Sequence, residues 1–598
     1  MDKFKILKDY FGHDSFRELQ EEAVDAILSG QDLLMILPTG GGKSLCYQLP
    51  TMLMGGITVV ISPLLALMHD QVVALKANGI NAAMINSMLS IEEIKEVESE
   101  LLNGKIKLLY IAPERLNSEY FLSFLQKLNI NFFVIDEAHC VSEWGHEFRE
   151  DYRKLNILKQ YFANTPIAAF TATATKVVEQ DIINNLALKN PKRLRGSLFR
   201  KNLIINAEYK VGDGKKQLLE FLKTHKGEAG IVYTLSRKST ESIASFLQKS
   251  GIVAKAYHAG LPTEVKNQTY SDFVSDKVEV VVATIAFGMG IDKSNIRFVV
   301  HFSLPKTIEN YYQEMGRAGR DGEKSETLLL YSMQDIIQQK SFIEDLPNSD
   351  YKTHAFGKLD SMIKFSSSEV CRHQYIAKYF DDTIDECKKV CDNCLGVKME
   401  SIEITTEVLK ILSAIYRVNQ SFGIHYIVDI LRGSKDKRVL ENSHDKLSVY
   451  GIGENYTKAQ WLSISDRALE LGLVVIGDFK VYKITAKGFA FFKSKEKIEI
   501  RKDRLTIRKV KPKKVLEESI DYNQDIFESL RELRREIATK ESIPPYIVFS
   551  DKSLKDMSSK LPQNKEEMLE VHGVGEVKFK RYGEDFLKLL KGLRDNHE

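Results

Sequence analysis

Short apolar runs rich in β-branched residues alternate with longer helical stretches up to about residue 340. The runs lie at residues 58–61, 108–111, 132–135, 167–170, 231–234, 278–283 and 298–301. Parallel sheets covered by helices give this rhythm. The runs fall into two sets, separated near residues 202–217, and therefore predict two α/β lobes of similar kind.

The pattern changes in the second half of the chain. After a cysteine-rich segment, helical stretches lead to two short apolar runs at 474–476 and 479–484. The residues between them, Gly477 and Asp478, predict a tight hairpin with glycine first in its turn. Helices that end in such a two-stranded wing are typical of a winged helix. Amphipathic helices over residues 523–590 then predict a small helical bundle.

A strongly basic segment separates the wing from the bundle. Residues 493–514 contain eleven Lys or Arg against three Asp or Glu, with few large apolar residues. This composition predicts a solvated, flexible linker, and a dedicated contact with phosphates is the alternative.

The patterns divide the chain into six segments. We predict a first lobe at 1–205, a second lobe at 206–340, a cysteine module at 341–400, a winged helix at 401–492, a basic linker at 493–517 and a helical bundle at 518–598. The fold class is therefore α/β with smaller modules following the two lobes. A length of 598 residues agrees with several domains of about 150 residues each.

Composition narrows the possible functions. The hydrophobic share of 43% and the charged share of 28% are those of a folded globular protein. Because the formal net charge is only +3, nucleic-acid binding would have to come from local basic surfaces. We expect neither a signal peptide nor a membrane span, since apolar stretches such as 57–68 are shorter than the ~18 residues a span needs, and we expect a cytoplasmic protein.

Residues 37–45 have the composition of a phosphate-binding loop. The loop follows the apolar run 33–37 and precedes a helical stretch, an arrangement in which N–H groups at a helix start surround phosphate oxygens. Lys43 can then reach the β- and γ-phosphates, and Ser44 can hold Mg²⁺. Leu37 stands where the strict motif has glycine, so support must come from elsewhere. The candidate nucleotide contacts in the loop are Thr39, Gly40, Gly41, Gly42, Lys43 and Ser44.

Two adjacent carboxylates, Asp136 and Glu137, follow the buried run 132–135. Ligands of α/β proteins bind at the carboxyl ends of the strands. Asp136 is the candidate for holding Mg²⁺, and Glu137 for orienting and deprotonating the attacking water. Such a pair also occurs in solvated turns and helix caps, but its place after a phosphate loop favours catalysis.

In the second lobe, Arg317 and Arg320 lie three residues apart on one side of a helical turn. Guanidinium groups suit the charge on a transferring γ-phosphoryl group. Because they belong to the other lobe, hydrolysis would depend on closure of the two lobes. The alternative is an ion-paired helix end with Glu314 and Asp321.

Four of the six cysteines are clustered, with fifteen, three and two residues between them. Four thiolates satisfy tetrahedral Zn²⁺ and leave no open position, which predicts a structural zinc site. The predicted ligands are Cys371, Cys387, Cys391 and Cys394. We assign the other two cysteines, Cys46 and Cys140, to packing.

Together these segments resemble superfamily-two helicases, and further motifs resemble the RecQ family. Residues 14–20 are similar to the family's entry motif, residues 171–174 to the motif that links the ATP site to the DNA path, and residues 282–293 to the second-lobe motif. The resemblance spans essentially the whole chain. It implies two RecA-like lobes, a zinc-binding module, a winged helix and a helicase-and-RNase-D C-terminal (HRDC) bundle.

The resemblance also implies further site residues. In the entry motif Gln20 would read adenine, and Phe16, Arg17 and Asp292 would belong to the nucleotide site. The segment 143–149 looks like the family's aromatic-rich loop, whose aromatic faces can stack on unpaired bases. A core role for these aromatics is the alternative, but the segment is polar for a core. The predicted DNA contacts are Trp144, His146, Phe148, Arg149, Thr171 and Thr173.

The C-terminal third adds weaker indications. The winged helix resembles the RecQ C-terminal domain, which binds duplex DNA near the fork, and its short wing argues against a long strand-separating pin. In the bundle, the amides of Gly573 and Gly575 could hold phosphate with Lys578 and Lys580 assisting. An interhelical turn with no ligand is the alternative.

The function implied is an ATP-dependent DNA helicase that uses ATP, Mg²⁺ and Zn²⁺, moves 3′ to 5′ on single-stranded DNA and unwinds forked duplexes in repair and recombination. The resemblance further implies roles in replication and the SOS response, a monomeric, nucleoid-associated protein without membrane contact, and single-strand-binding protein and topoisomerase as partners. One rival is an RNA helicase, because the motif at 136–139 also occurs in such enzymes. The other is a nucleic-acid-binding scaffold with a vestigial ATP site, which the full set of polar catalytic residues opposes.

Overall fold

The computed structural model describes residues 2–86, 89–143, 149–285, 287–288, 293–346, 349–395, 400–477, 481–494, 496–505 and 522–595. These ranges contain two parallel-sheet lobes, a cysteine module, a winged helix and a C-terminal bundle. Among the helices of these ranges, none combines the length and hydropathy that a membrane span requires.

The first lobe is a parallel sheet covered by helices on both faces. Its described strands are β1 (Leu33–Ile36), β2 (Ile57–Ile61), β3 (Ala82–Ile85), β4 (Leu108–Ile111), β5 (Ile130–Ile135), β6 (Ile167–Thr171) and β7 (Lys192–Arg195). They lie in the order β3-β4-β2-β5-β6-β1-β7, and all neighbours are parallel. Its helices are α1 (Lys3–Phe11), α2 (Gln20–Leu28), α3 (Lys43–Leu53), α4 (Leu65–Ala77), α5 (Ile91–Leu102), α6 (Glu119–Leu125), α7 (Glu150–Arg153), α8 (Ile157–Tyr161) and α9 (Lys176–Asn185).

The central strands read as continuous apolar runs because both faces of the sheet are buried. On β5, Phe133 and Ile135 belong to one hydrophobic cluster, whereas Phe132 and Val134 belong to the cluster on the opposite face. Each of these four side chains is fully buried. The run 132–135 therefore delivers Asp136 and Glu137 to the carboxyl edge of a rigid sheet.

The second lobe repeats this architecture. Its strands are β8 (Leu203–Tyr209), β9 (Ala229–Tyr233), β10 (Ala254–Tyr257), β11 (Val280–Ala283), β12 (Ile296–His301) and β13 (Ser325–Tyr331), in the order β10-β11-β9-β12-β13-β8. Its helices are α10 (Lys215–Lys223), α11 (Arg237–Lys249), α12 (Thr263–Val274) and α13 (Ile308–Met315). The segment 202–217, expected to separate the lobes, instead contains edge strand β8, so the predicted boundary after residue 205 falls inside a strand.

The cysteine module packs against the free edge of β8. Its helices are α14 (Met333–Glu344), α15 (Ser349–Ser367) and α16 (Arg372–Tyr379). The backbone of Ile205 pairs with the loop 390–392, donating to Val390 and accepting from Asp392. Asp392 also forms a bidentate pair with fully buried Arg372, at 2.9 and 3.1 Å. The module is thus fixed to the second lobe through the loop that carries Cys391.

The winged helix extends further than predicted. Its elements are β14 (Ser401–Glu403), α17 (Thr405–Arg417), α18 (Ile424–Leu431), α19 (Lys437–Glu441), α20 (Lys458–Glu470), β15 (Val474–Ile476), β16 (Tyr482–Ile484), α21 (Ala486–Ser494) and β17 (Glu499–Arg501). The predicted hairpin is present as antiparallel β15 and β16, although Asp478 in its turn lies outside the described residues.

The expectation of a flexible linker from residue 493 is wrong for its described part. Strand β17 pairs antiparallel with β14, and Ile498, Ile500 and Leu505 are buried in the core of the winged helix. These apolar residues occupy the inward positions of a segment whose exposed positions are charged, among them Lys497, Glu499 and Lys502. Residues 506–521, the rest of the predicted linker and the start of the predicted bundle, lie outside the described residues.

The C-terminal bundle matches its prediction. Its helices are α22 (Gln524–Glu541), α23 (Pro545–Val548), α24 (Asp551–Lys560), α25 (Lys565–Leu569), α26 (Glu576–Lys578) and α27 (Glu584–Asp595). They surround their own apolar core, which includes Leu530, Met557 and Phe586. A hydrophobic core of its own is typical of a separate structural domain.

Candidate active site and metal centre

A chamber of about 690 Å³ lies between the two lobes. Its walls include the phosphate loop and the carboxylates of the first lobe, and the arginines of the second. The predicted residues that line it are Phe16, Arg17, Gln20, Thr39, Gly40, Gly42, Lys43, Ser44, Asp136, Glu137, Arg317 and Arg320. Segments about 270 residues apart in sequence therefore converge on one cavity.

The phosphate loop requires glycine at two of its positions. Gly40 and Gly42 have φ values of +82° and +83°, in the left-handed region. A Cβ at Gly42 would also collide with the amide of Gln20, and one at Gly40 would lie 3.3 Å from the Cα of Arg320. Helix α3 begins directly after this turn, at Lys43. The N-terminus of α3, with its free N–H groups and the positive end of the helix dipole, therefore follows the loop and favours binding of an anion such as phosphate.

Residues of the entry motif form hydrogen bonds with the backbone of the phosphate loop. The side-chain amide of Gln20 donates to the carbonyls of Gly41 and Gly42 at 3.3 and 3.2 Å. Its oxygen accepts from the backbone N–H of Arg17 at 2.8 Å, and the Arg17 guanidinium donates to Gly40 at 2.9 Å. Gln20 is buried, so its orientation is fixed by the loop.

Lys43 and the carboxylates form the charged floor of the chamber. The Nζ of Lys43 donates to the Leu37 carbonyl at 2.9 Å. Burial lowers the pKa of Lys43, and the carboxylates of Glu137 and Asp136 act in the opposite direction. Asp136 accepts from the N–H of Glu137 at 3.0 Å, and its own carbonyl accepts from Tyr152 at 3.0 Å. These bonds hold both carboxylates at the end of β5.

The oxygen atoms present fit a magnesium–nucleotide complex. Mg²⁺ prefers hard oxygen ligands and keeps several waters, so it is bound through one or two protein oxygens together with phosphates. The Ser44 hydroxyl and the Asp136 carboxylate line the same chamber as Lys43. The chain could therefore hold Mg²⁺ between Ser44, Asp136 and a bound nucleotide.

His139 connects the carboxylates to the motif at 171–174. Its Nδ1 lies 2.9 Å from the Thr171 hydroxyl and 3.3 Å from Glu137 Oε2. Burial lowers the pKa of His139 to about 3, so the ring is neutral at physiological pH. Thr171 and Thr173 are themselves buried, so neither side chain is exposed to a DNA strand in this structure. The Thr171 hydroxyl contacts His139 and donates to the Thr173 carbonyl.

The second lobe contributes Arg317 and Arg320 from the turn after α13. Arg317 is buried, and its Nε makes no hydrogen bond within the described part of the chain. The phosphate loop touches this turn directly, since a Cβ at Gly316 would lie 3.2 Å from Thr39. Both guanidinium groups therefore face the chamber across the junction of the lobes.

Arg200, which sequence reasoning missed, holds this turn in place. Its guanidinium donates to the carbonyls of Gly316, Ala318 and Gly319 at 2.9, 2.8 and 2.6 Å. Burial lowers its pKa to about 10, which still leaves it charged at neutral pH. A single arginine outside any motif carries no signal in the sequence for this positioning role.

Several predicted site residues lie outside the described residues. These are Trp144, His146, Phe148 and Asp292. Of the aromatic-rich loop, Arg149 is described, and it donates to the Pro63 carbonyl at 3.0 Å. The remaining predicted loop contact, Gly41, is not among the residues that line the chamber, and a Cβ there would lie 2.6 Å from the Leu37 side chain.

The four clustered cysteines converge as predicted. Their sulfur atoms all lie within 4.8 Å of one another, and Cys371 and Cys391 are buried. Zn–S bonds of about 2.3 Å in a tetrahedron separate the sulfurs by about 3.8 Å, which this cluster accommodates. The backbone N–H groups of Cys387 and Cys394 donate to the sulfurs of Cys371 and Cys391 at 3.4 Å. Such bonds stabilise thiolates, so the donor set fits Zn²⁺.

Replacing Cys391 with serine is expected to remove the zinc and to loosen the loop 390–392 from strand β8. The thermal unfolding temperature should fall by several degrees, because metal binding contributes directly to folding. Zinc per chain, measured with a colorimetric chelator, and calorimetric unfolding check both effects. Cys46→Ala, which changes a buried cysteine outside the cluster, should keep the wild-type zinc content. A fully zinc-loaded Cys391→Ser protein would contradict the assignment.

Five protein-family models match successive segments of the chain. Residues 17–181 match the DEAD/DEAH box helicase model and 213–322 the helicase conserved C-terminal domain. The RecQ zinc-binding model matches 333–395, the RQC domain 398–509 and the HRDC domain 523–590. The RQC match includes β17, in agreement with its place in the winged helix.

Curated relatives match over nearly the whole length. The chain is 41% identical to ATP-dependent DNA helicase RecQ of Haemophilus influenzae, covering 98% of this chain and 95% of the relative. It is also 41% identical to the protein of the same name in Bacillus subtilis, covering 98% of each. A putative ATP-dependent RNA helicase of Acanthamoeba polyphaga mimivirus is 35% identical over 81% of this chain and 91% of the relative. With two RecA-like lobes, a zinc-binding module, an RQC winged helix and an HRDC bundle in this order, the chain belongs to the RecQ family of helicases.

Proposed function

We propose that this helicase hydrolyses ATP at the chamber between its lobes and uses the cycle to move 3′ to 5′ on single-stranded DNA, unwinding forked duplexes. The observation that carries the proposal is the convergence of Lys43, Asp136 and Glu137 from one lobe with Arg317 and Arg320 from the other. A nucleotide bound there would contact both lobes, so its hydrolysis would alter the contact between them.

Each side chain has a distinct task in this proposal. Lys43 and the N-terminus of α3 bind the β- and γ-phosphates, and Glu137 orients the attacking water and accepts its proton. Ser44 and Asp136 would hold Mg²⁺, which would neutralise part of the phosphate charge when bound. Arg317 and Arg320 stabilise the charge on the transferring phosphoryl group. Gln20, with Phe16 and Arg17, recognises adenine from its place beside the phosphate loop.

The link to DNA passes through His139 and Thr171. Thr171 lies at the end of β6, beside the catalytic carboxylates, and the aromatic-rich loop follows His139 in the sequence. We propose that strand binding by Trp144, His146, Phe148 and Arg149 is transmitted along this path, with buried Thr171 and Thr173 behind the strand-binding residues. Asp292 would complete the second-lobe side of the nucleotide site.

The finer assignments follow from family membership. We propose a cytoplasmic, nucleoid-associated monomer acting in repair and recombination, with single-strand-binding protein and a topoisomerase as partners. We also propose the domain division given above, with the second lobe starting at residue 203 and the winged helix reaching residue 505.

Nucleic-acid stimulation of the ATPase tests the proposal. We expect single-stranded DNA to stimulate hydrolysis strongly, RNA of the same sequence to stimulate it weakly, and a 3′-tailed duplex to be unwound in preference to a 5′-tailed one. The measurements are steady-state phosphate release and strand displacement with a fluorescent duplex. Equal or stronger stimulation by RNA would favour the RNA-helicase alternative, for which a relative so named is the supporting observation.

A further inference from the structure

The C-terminal bundle lies directly on the nucleotide chamber. Residues of the bundle that line the chamber are Tyr546, Ile547, Ser550, Lys552, Ser553, His572, Gly573 and Lys578. The chamber therefore has three walls, of which the third comes from a domain separated from the second lobe by the zinc module and the winged helix. The roles proposed for the motif residues of the two lobes do not involve any residue of the bundle.

The Gly573-Val574-Gly575 turn docks the bundle on the first lobe. The N–H of Gly573 donates to the Gly12 carbonyl at 3.0 Å, so this amide is already engaged by protein. A Cβ on Gly575 would lie 2.5 Å from the Asp9 carbonyl oxygen and 2.7 Å from that of Lys8. The glycines thus permit a backbone-to-backbone approach that any side chain would prevent.

The contacts of this turn favour the alternative in which it binds no phosphate. Lys578, expected to assist phosphate binding, is half-buried and donates to the Ile547 carbonyl at 2.7 Å. Burial lowers its pKa to about 8. In the docked bundle, the Gly573 amide and the Lys578 ammonium both donate to protein carbonyls. The turn serves a contact between domains.

A second contact joins the bundle to the other lobe. The Nζ of Lys555 lies 2.5 Å from Glu323 Oε2, with both side chains largely buried. Glu323 follows Arg320 by three residues, in the same turn that presents the arginines. The docked bundle therefore spans from α1 of the first lobe to the arginine-bearing turn of the second.

A pair of imidazoles lines the chamber at this boundary. The rings of His13 and His572 lie 5.5 Å apart, next to the entry-motif residues Phe16 and Arg17. The Nδ1 of His572 is buried and makes no hydrogen bond within the described ranges. Such a group can bond a ribose hydroxyl or a base nitrogen of a nucleotide.

We propose that the bundle is the third wall of the nucleotide site: docked on both lobes, it retains bound nucleotide and slows its exchange. The proposal rests on the ATP-binding function proposed above. Because the bundle lines one side of the chamber, its separation from either lobe would open the site and speed nucleotide exchange. Product release would then be controlled by a domain that takes no part in the chemistry.

Gly575→Ala in the full-length chain tests this wall. The added methyl group meets only first-lobe atoms, and the φ of −99° suits alanine, so the bundle should fold normally. We expect release of the fluorescent nucleotide mant-ADP, chased with unlabelled ADP in a stopped-flow instrument, to become about five- to tenfold faster. Gly592→Ala is the matched control, because a Cβ there meets nothing within 4 Å.

The charge pair provides an independent variant set. Lys555→Glu and Glu323→Lys should each accelerate release, and the double exchange should return it toward the wild-type rate. Wild-type release from both Gly575→Ala and Lys555→Glu would overturn the proposal, as would a double exchange that stays as fast as the single changes. If the wild-type chain binds no mant-ADP in a Lys43-dependent manner, the proposed ATP site fails instead, which keeps the two outcomes distinct.

Discussion

Lys43→Ala should lower the DNA-stimulated ATPase rate by about 10²- to 10³-fold, the effect of removing one preorganised donor from a site of developing negative charge. Lys43 is the first residue of α3, with its Nζ 2.9 Å from the Leu37 carbonyl and the carboxylates of Asp136 and Glu137 close enough to influence its pKa. No other lysine of the phosphate loop can replace it, since the loop contains only this one. Strand displacement should be lost together with hydrolysis.

Folding and DNA binding should survive this substitution. The Lys43 ammonium bonds to its own loop and not to another domain, so circular dichroism and zinc content should be unchanged. Single-stranded DNA affinity, measured by fluorescence anisotropy, should also be close to wild type. Lys76→Ala, at an exposed lysine of α4, is the control for loss of one positive charge. An unchanged turnover of Lys43→Ala would refute the assignment of the site.

The strands that carry chemistry were predictable because they are buried on both faces. β1, β2, β5 and β6 are continuous apolar runs, and the phosphate loop and the Asp136–Glu137 pair follow two of them directly. A run of this kind stops where the chain reaches the sheet edge, so the polar residues that follow are placed at the ligand-binding edge. Sequence alone therefore located most of the polar residues that line the chamber on the side of the first lobe.

Edge strands were not predictable in the same way. β7 has the sequence Lys-Arg-Leu-Arg and pairs only with β1, so a single buried leucine supports it. β8 was assigned to the region between the lobes, because its polar positions Asn206 and Glu208 interrupt the apolar pattern. β17 was hidden in a basic segment whose isoleucines are spaced for a strand. In each case tertiary pairing, and not local composition, makes the strand.

Contacts between distant domains left no periodic signal at all. Arg200 and Lys555 are single charged residues whose roles depend on partners more than 100 residues away. The turn at Gly573 was recognised as unusual, but whether it met phosphate or protein could not be decided from its composition. The glycines indicate that a backbone approaches closely, and only the structure identifies that backbone as residues 8–12 of the first lobe.

Arg320→Ala should reduce the turnover number of the DNA-stimulated ATPase by about 10³-fold, at the lower end of the effect of arginine fingers. Arg320 reaches the phosphate loop from the other lobe, and its Cα would lie only 3.3 Å from a Cβ at Gly40. In the proposed mechanism its charge acts on the transferring phosphoryl group and less on the bound ground state. The Kd of mant-ADP should therefore change little while turnover falls.

Two further variants separate charge from geometry at this position. Arg320→Lys keeps the charge but lacks the planar fork, so it should recover little of the turnover. Lys324→Ala, four residues later and exposed, should behave like wild type. Steady-state ATPase measurements over a range of ATP concentrations distinguish turnover from KM. If Arg320→Ala kept turnover and raised only KM, Arg320 would be a binding residue, and coupling of lobe closure to hydrolysis would have to rest on Arg317 alone.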